Sequence, residues 1–447
     1  MLSAAHIQSN KRFFALSFLF LLTFCVVGYF VPRHDTGLLL SSFALLFLFY
    51  YIIYTSTREG EITTWLLVAV LIRGSLLFAV PQLSDDFYRF IWDGRLLYND
   101  IHPFAEIPSY YMQEGNAVPG LTSELFHRLN SPEYFTIYPP ITQFIFWLSV
   151  ALSPNSIFGS MLVLKVLVVL AEVGSIALIK SLLAHFELPG KKSLLYALNP
   201  LVILELSGNL HFEAFVIFFL LGSIYMLLKQ RLIVSAVLFT LAVHVKLLPL
   251  IFLPSLLPFL GLKKTFQFYL IVSITSIILF APLLNMTLLS GMNESLSYYF
   301  KKFEFNASFY YLIREWGFWK YGYNIIQTAG WKLALVSTTL ILLFSLRNMF
   351  SKSVMSIQEL FTEWIIILTL YLFFTTTVHP WYIVPLLAFS VFSNVRYPLV
   401  WSGLILITYA GYTLNAYQEN LWLVLIEYVA VLAFMYFDFR KRKFSFT

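Results

Sequence analysis

Apolar runs of about twenty residues recur along this chain, and each is long enough to cross the hydrocarbon core of a bilayer as an α-helix. Only 12% of the 447 residues are charged, whereas a soluble domain carries about 25%. Hydrophobic residues make up 59% of the chain, and so much apolar surface must face lipid. The sequence therefore predicts an all-α polytopic membrane protein.

Fourteen runs are predicted to be spans of one integral membrane domain, residues 1–447: 13–31, 37–54, 64–80, 158–182, 193–207, 212–228, 232–248, 249–262, 266–284, 331–347, 358–378, 381–394, 397–414 and 420–437. The first run has no small-residue cleavage pattern after it, so it is interpreted as a retained span. A further apolar piece at 140–152 is short, and we interpret it as re-entrant or interfacial.

Basic residues predict the orientation, because cytoplasmic loops of membrane proteins are enriched in lysine and arginine. If 140–152 does not cross, both termini are cytoplasmic, and so are the basic clusters Lys11-Arg12, Lys191-Lys192, Lys229 with Arg231, Lys263-Lys264, Arg347 with Lys352, Arg396, and Arg440-Lys441-Arg442-Lys443. The two long polar loops, 81–139 and 285–330, then lie on the extracytoplasmic face. The net charge of +6 indicates anchoring to anionic lipid, not nucleic-acid binding.

The first long loop opens at Ser84 with the sequence SDDFYRFIWDGR. A helix beginning near Asp85 places Asp86, Arg89 and Asp93 on one face. The other faces are largely apolar, which predicts an amphipathic helix lying along the membrane surface. The structural alternative is a serine-capped helix start followed by an ordinary i,i+4 ion pair. Two adjacent carboxylates exceed what a cap needs, so we interpret this segment as functional.

Other polar residues lie at span ends predicted to reach the same face: Tyr138 with Gln143, His211 with Glu213, His244 with Lys246, and His379 with Tyr382. Each pair alone has a structural explanation, as a helix entry, a polar turn or an aromatic belt. Lys246 fits a snorkelling lysine and a phosphate ligand equally well. Arg73 and Glu172, both inside apolar runs, are predicted to form a structural pair.

Several site types are excluded or lack a motif. The single cysteine, Cys25, excludes intrachain disulfides and a cysteine-based metal site. No histidine pair has metal-ligand spacing with a nearby glutamate, and no Walker-type glycine loop is present. The sequence therefore predicts no metal ligands and no ATP site.

Six motifs, in order along the chain, resemble bacterial polyprenol-phosphate-mannose-dependent mannosyltransferases of the GT-C superfamily of integral membrane glycosyltransferases. They are SDDxYRFxWDGR, HPF at 102–104, YPPIxQ from Tyr138, GNLHFE ending at Glu213, HVKLxP from His244 and HPWY from His379. The resemblance extends from about residue 64 to 385. Glu213 replaces a more usual aspartate and His102 a more usual asparagine, which changes the expected substrate contacts but not the reaction class.

The resemblance implies a GT-C-like bundle of about 12–14 transmembrane helices in the bacterial inner membrane, with a long extracytoplasmic first catalytic loop that carries amphipathic interfacial helices. It implies an inverting transfer of a sugar, foremost mannose, from a polyprenyl-phosphate donor to a glycan or glycolipid acceptor. Asp85 is the expected general base, with Asp86 as the close alternative. Residues expected to bind donor phosphate or substrate are Arg89, Asp93, Arg95, Tyr138, His211, Glu213, His244, Lys246, His379 and Tyr382. No cofactor is required, although a divalent cation is compatible with the chemistry.

A secondary transporter or lipid flippase is the alternative from a different class. Many spans, the intramembrane Arg73 and Glu172, and the lack of an ATP motif suit that function. However, the sequence shows no two-fold repeat, and its charged residues gather at one predicted face. A scaffold without chemistry would not need adjacent carboxylates.

Overall fold

The structure is a computed structural model that describes residues 4–349, 355–414 and 416–441. Within these ranges the chain forms no β-strand, and its only strand-like pairings are two isolated bridges, Phe305 with Thr377 and Tyr412 with Tyr417. The predicted all-α class is therefore confirmed. Three residues of the predicted basic clusters, Lys352, Arg442 and Lys443, lie outside the described ranges.

The helices of the first half of the described chain are α1 (Ala4–Phe30), α2 (Thr36–Ser56), α3 (Ile62–Ser75), α4 (Asp86–Tyr98), α5 (Ser123–His127), α6 (Pro140–Leu152), α7 (Ile157–His185), α8 (Ser193–Ala197), α9 (Pro200–Val202) and α10 (Glu213–Leu228). Those of the second half are α11 (Leu232–Val245), α12 (Leu253–Leu260), α13 (Leu262–Phe280), α14 (Met286–Lys301), α15 (Phe309–Tyr321), α16 (Ile326–Leu346), α17 (Ile357–Phe374), α18 (Val384–Ser390), α19 (Tyr397–Leu404) and α20 (Leu421–Lys441).

Seven helices of the described residues are long and apolar enough to cross a membrane: Lys11–Phe30, Thr36–Ser56, Ile157–His185, Leu262–Leu283, Ile326–Leu346, Ile357–Phe374 and Leu421–Arg440. The segment Pro200–Gly208 and α10 form a pair bent by 112°, which would be an eighth span. The protein is therefore an integral membrane protein. By length, fewer helices qualify than the 12–14 predicted.

Breaks within apolar runs explain part of this difference. The predicted span 193–207 is divided into α8, α9 and a π-helix at Ile203–Gly208. The predicted spans 249–262 and 381–394 are short helices that start at or contain prolines, which lack the N–H that continues a helix. The short piece at 140–152 is α6, whose 13 residues extend about 20 Å and fall short of a core about 30 Å thick.

The helix at the start of the first loop is α4, and it differs from the predicted surface helix because it is enclosed. Ten consecutive residues, Phe87–Leu96, are buried. On one side, Phe90 stacks on Phe146 of α6 at 4.7 Å, and a Cβ on Gly94 would lie 2.5 Å from the Phe146 carbonyl oxygen. On the other side, residues of the same loop cover the polar face. Both faces of this amphipathic helix therefore contact protein, and the pattern does not mark a boundary between lipid and water.

A buried polar cluster connects α3, α7 and the π-helix. Arg73 Nε lies 2.8 Å from Glu172 Oε1, and both side chains are fully buried, so the predicted structural pair is confirmed. Ser207 of the π-helix donates a hydrogen bond to the same carboxylate. Lys165 Nζ donates to the carbonyl oxygens of Leu76 and Gly208, each at 2.9 Å. These bonds hold the π-helix in position from the membrane interior.

The two predicted outer loops contain much regular structure. The loop 81–139 carries α4, a 3-10 helix at Pro108–Met112, and α5. The loop 285–330 carries α14 and α15, and α16 begins before its end. A backbone bridge joins the second loop to the segment before His379, since Val378 N donates to the Phe305 carbonyl oxygen at 2.8 Å.

Candidate active site

The two adjacent carboxylates lie at the N-terminus of α4, where the helix dipole favours negative charge. Asp85 Oδ2 lies 2.5 Å from Arg33 Nη2, and the Arg33 guanidinium lies over the Tyr412 ring at 5.0 Å. Asp86 Oδ1 accepts a hydrogen bond from Asn130 Nδ2 at 2.7 Å. Both carboxylates are partly exposed, so a substrate can reach them, but only Asp85 is ion-paired to an arginine.

His211 faces Asp86 from the bend between the π-helix and α10. Its Nε2 lies 3.9 Å from Asp86 Oδ2 and has no hydrogen-bond partner among the described residues. Its Nδ1 lies 2.8 Å from the carbonyl oxygen of Glu205 and 3.3 Å from Oε2 of the same residue. Tyr409 OH donates to Glu205 Oε1 at 2.7 Å. Glu205 therefore fixes one edge of the imidazole and directs the other edge toward Asp86.

The backbone of this bend is unusual, and its geometry explains how Glu205 and His211 meet. A π-helix has one more residue per turn than an α-helix and often lies at a functional site. Leu210 has φ of 65°, a left-handed conformation that costs a non-glycine residue roughly 1–2 kcal/mol. Asn209 stabilises the turn, because its Oδ1 accepts from Leu83 N at 2.9 Å and its Nδ2 donates to the Leu204 carbonyl oxygen at 2.8 Å.

Aromatic stacking extends the cluster from His211 to the HPWY motif. The Trp381 ring stacks on His211 at 3.6 Å and 15°, and on His379 at 4.4 Å and 6°. Tyr382 meets His379 edge-on at 5.4 Å. The indole is therefore held between two imidazoles that are far apart in sequence.

A cation lies at the far end of this stack. Lys246 caps the C-terminus of α11, and its Nζ lies 3.9 Å from the centroid of the Tyr382 ring. Lys246 also forms an ion pair with Glu213, the first residue of α10. Its side chain is about one-third exposed, and an ammonium has three N–H donors, so donors remain for an anionic ligand.

The two histidines have opposite electrostatic environments. Burial alone lowers the pKa of His211, but the hydrogen bond and charge of Glu205, with the charges of Asp86 and Glu213, raise its pKa overall. Burial, with the nearby Lys246 and His211, lowers the pKa of His379 well below its ordinary value. His211 therefore holds a proton more readily than an isolated imidazole, whereas His379 is neutral.

Several predicted site residues lie outside this cluster. Arg89 and Asp93 are buried in the middle of α4 and pair with each other at 2.8 Å. Arg95, in the last turn of α4, is also buried; it donates to the Gly120 carbonyl oxygen, and burial lowers its pKa. Tyr138 packs edge-on against Phe90 at 5.2 Å. The first three residues stabilise the loop, and Tyr138 contributes to the packing beside it.

His244 is also separated from its predicted partner. Its ring is buried and meets Phe280 of α13 edge-on at 4.8 Å, while Lys246, two residues later, reaches Tyr382. Residues two apart on a helix point to different faces, so the short spacing does not bring both side chains to one site.

Four residues of the cluster were not identified from sequence: Arg33, Asn130, Glu205 and Tyr409. Glu205 could have been identified as a candidate from the sequence, because a carboxylate inside an apolar run needs a partner. The other three are ordinary loop or span residues whose role depends on tertiary contacts. Within the described ranges, no group of three or more His, Cys, Asp or Glu side chains is arranged to hold a metal ion.

Comparison with known proteins connects this geometry to a family. Residues 22–261, more than half of the chain, match the family model described as "Alpha-(1->6)-mannopyranosyltransferase, N-terminal domain". The chain belongs to the alpha-(1->6)-mannopyranosyltransferase family. The matched range contains Asp85, Asp86, His211 and Lys246. The family that the motifs indicated is thereby confirmed.

Two further matches agree with this family. Residues 209–363 match a model described as "ALG3 protein". The chain is 28% identical over 204 residues to alpha-(1->6)-mannopyranosyltransferase A of Mycobacterium tuberculosis. That segment covers 44% of this chain and 37% of the length of the mycobacterial protein.

Proposed function

We propose that this protein transfers a mannosyl residue from a polyprenyl-phosphate donor to a hydroxyl of a glycan or glycolipid acceptor, with inversion at the anomeric carbon. The observation that carries the proposal is the convergence of an accessible carboxylate pair and a partly exposed lysine on one aromatic cluster. Membership of a mannosyltransferase family supports the sugar and the reaction class.

In this proposal, Asp86 is the general base. It accepts the proton of the acceptor hydroxyl as the acceptor oxygen bonds to the anomeric carbon. Asp85 is the less suitable base, because Arg33 Nη2 already lies against its Oδ2 and restricts the approach of an acceptor hydroxyl. His211 directs its free Nε2 toward the same space and orients the acceptor or the sugar.

The bond between the anomeric carbon and the phosphate oxygen breaks in the same step, and its electron pair stays on the polyprenyl phosphate. Lys246 stabilises the charge that develops on this leaving group. Because a protein cation is available, the scheme includes no metal ion. The lipid tail would lie between apolar helices, and the site would open to the extracytoplasmic face of the bacterial inner membrane, with both chain termini in the cytoplasm.

The transporter or flippase alternative gains no comparable support. The intramembrane pair on which it depends, Arg73 and Glu172, is fully buried and bonded to Ser207. A transport path would require these groups to be reachable by a substrate.

The decisive experiment is transfer of radiolabelled mannose from polyprenyl phosphate mannose, measured in membranes with wild type, Asp85→Asn and Asp86→Asn at matched expression. We expect transfer by wild type and its loss in Asp86→Asn. Full activity in both variants would remove these carboxylates from catalysis. If wild type transferred glucose or another polyprenyl-linked sugar instead of mannose, the donor sugar would be corrected while the reaction class stood.

A further inference from the structure

A second acidic cluster lies outside the proposed active site, where α20, the loop before it and the second outer loop meet. Glu419 belongs to the loop before α20, Glu427 lies in the second turn of α20, and Asn306 lies between α14 and α15. Glu427 is 1% exposed and Asn306 is fully buried. The three residues line one small cavity of about 10 Å³, which is about the size of a single water molecule or ion.

The two carboxylates accept hydrogen bonds from several neutral donors, but no positively charged side chain of the described residues lines the cavity with them. Glu427 Oε1 accepts from Trp401 Nε1 at 2.7 Å, and both its oxygens lie 3.2 Å from Asn306 Nδ2. Glu419 Oε2 accepts from Asn306 N at 2.9 Å and from Tyr311 OH at 2.5 Å. The cavity lining contains no lysine, arginine or histidine. A buried carboxylate without an opposite charge is costly, so this arrangement needs a further partner.

An independent observation indicates a ligand in this cavity. The Oδ1 atom of Asn306 is buried and accepts no hydrogen bond from any described residue. A buried amide oxygen without a donor costs about 1–3 kcal/mol, and such atoms are rare in folded proteins. The residues that line this cavity therefore include five hard oxygen donors, which are Asn306 Oδ1 and the carboxylate oxygens of Glu419 and Glu427.

We propose that this cavity is a divalent cation site, held by Glu419, Glu427 and Asn306, and that Ca²⁺ is its preferred ion. Two carboxylates balance a charge of two. Ca²⁺ accepts six to eight oxygens in irregular arrangements, whereas Mg²⁺ requires a near-ideal octahedron and retains several waters. Thr408, which also lines the cavity, adds a hydroxyl oxygen.

The ion would connect three segments that surround the proposed active site. The loop that carries Glu419 also carries Tyr412, which packs on Arg33. Asn306 follows Phe305, whose backbone pairs with Thr376 and Val378 next to His379. The role is therefore structural, and it does not depend on the proposed transfer reaction.

The test is thermal unfolding of the purified full-length protein in detergent, after EDTA treatment and then with Ca²⁺ or Mg²⁺ at constant ionic strength. At Ca²⁺ a hundredfold above its dissociation constant, we expect the Tm of wild type to rise by about 5 °C, with a smaller rise in Mg²⁺. Glu419→Gln and Glu427→Gln should show no Ca²⁺ response. Glu294→Gln, an exposed carboxylate of the same outer loop, should respond like wild type.

A second measurement covers the case in which Glu427→Gln fails to fold. Equilibrium binding of ⁴⁵Ca²⁺ to wild type should reach one ion per chain, and Glu419→Gln, whose side chain is only half-buried, should lose that ion. A wild-type Tm that is identical in EDTA, Ca²⁺ and Mg²⁺, without stoichiometric binding, would overturn the proposal and indicate that Glu427 is neutralised by a proton.

Discussion

Two aspartate–arginine pairs, one at the N-terminus of α4 and one in its middle, have the same chemistry in opposite surroundings. At the N-terminus, Arg33 and Asp85 are 32% and 34% exposed. Two turns later, Arg89 and Asp93 are 4% and 0% exposed, and Arg89 also donates to the carbonyl oxygens of Ser131 and Tyr134. The first pair can meet a substrate and the second cannot. Accessibility, not residue type, therefore distinguishes the pair that a substrate can reach from the pair that stabilises the loop.

The largest effect should come from Asp86→Asn at the accessible end. Loss of a general base lowers the rate by about 10²–10⁴-fold, and the side chain keeps its size and its contact with Asn130. Mannosyl transfer at matched expression measures this loss. Glu114→Gln, an exposed carboxylate of the same loop, should retain full activity. Equal activity in Asp86→Asn and Glu114→Gln would contradict the proposed base.

In the enclosed middle of α4, Asp93→Ala should lower the stability of the protein. Removal of one partner from a buried ion pair costs about 3–5 kcal/mol, because the remaining charge, here Arg89, stays buried with no opposite charge beside it. The matched variant Asp85→Ala breaks the more exposed pair and should cost about 1 kcal/mol or less. Thermal unfolding in detergent compares the two variants. Similar losses of stability would show that the two pairs do not differ as described.

Lys246→Met should reduce the transfer rate by about 10²-fold, the usual loss when one donor to a developing negative charge is removed. Glu213 would also lose its ion-pair partner, so the rate is best compared with the Tm of the same variant. Lys302→Met is the matched control, because Lys302 also lies over a tyrosine ring, at 5.8 Å from that of Tyr298. Equal rates in the two variants would exclude a special role for Lys246.

Gly94→Ala tests the contact that encloses α4. The added Cβ would lie 2.5 Å from the Phe146 carbonyl oxygen, so α4 and α6 must move apart. Overpacking of this kind costs about 1–3 kcal/mol. The Tm should fall accordingly. Gly60→Ala, where an added Cβ meets nothing within 4 Å, should leave it nearly unchanged.

The smallest effect is a shift in pH dependence. Glu205→Gln removes the charge that contributes most to raising the pKa of His211, so the imidazole should lose its proton at lower pH. The limb of the kcat/KM profile that reports His211 should move to lower pH, away from the wild-type position. Asp86, Glu213 and His379 also face this ring and remain in the variant. An unchanged profile would show that His211 titration does not control transfer.

Side-chain contacts were predicted most accurately from sequence where they depend on local spacing, or where an ionisable residue in an apolar run has few possible partners. Two isolated ionisable groups in apolar runs predicted the contact of Arg73 with Glu172. The ion pair of Arg89 with Asp93 is the one that the structural alternative gave from their spacing, whereas the favoured interpretation had both residues bind substrate. Lys165 is also an ionisable residue inside an apolar run, and it also has buried partners. These partners are backbone carbonyl oxygens, which every residue carries, so the sequence could not identify them.

Other features depend on how the chain folds back on itself. The apolar pattern of α4 indicated one buried face, but it contained no sign that the loop would also bury the polar face. Arg33 and Tyr409 reach the cluster from distant segments, and their own neighbourhoods in sequence are unremarkable. The predicted topology did place the acids, His211 and the HPWY segment at one face, and the structure brings them into one cluster.

The sandwich around Trp381 also limits which molecules the site can recognise. Both faces of the indole are covered by imidazoles, so neither is free to stack on the apolar face of a sugar ring. Replacement of His379 by glycine would uncover one face while leaving the His211 contact in place. In the proposed transferase, that single change would expose an apolar aromatic surface on which a sugar ring could stack.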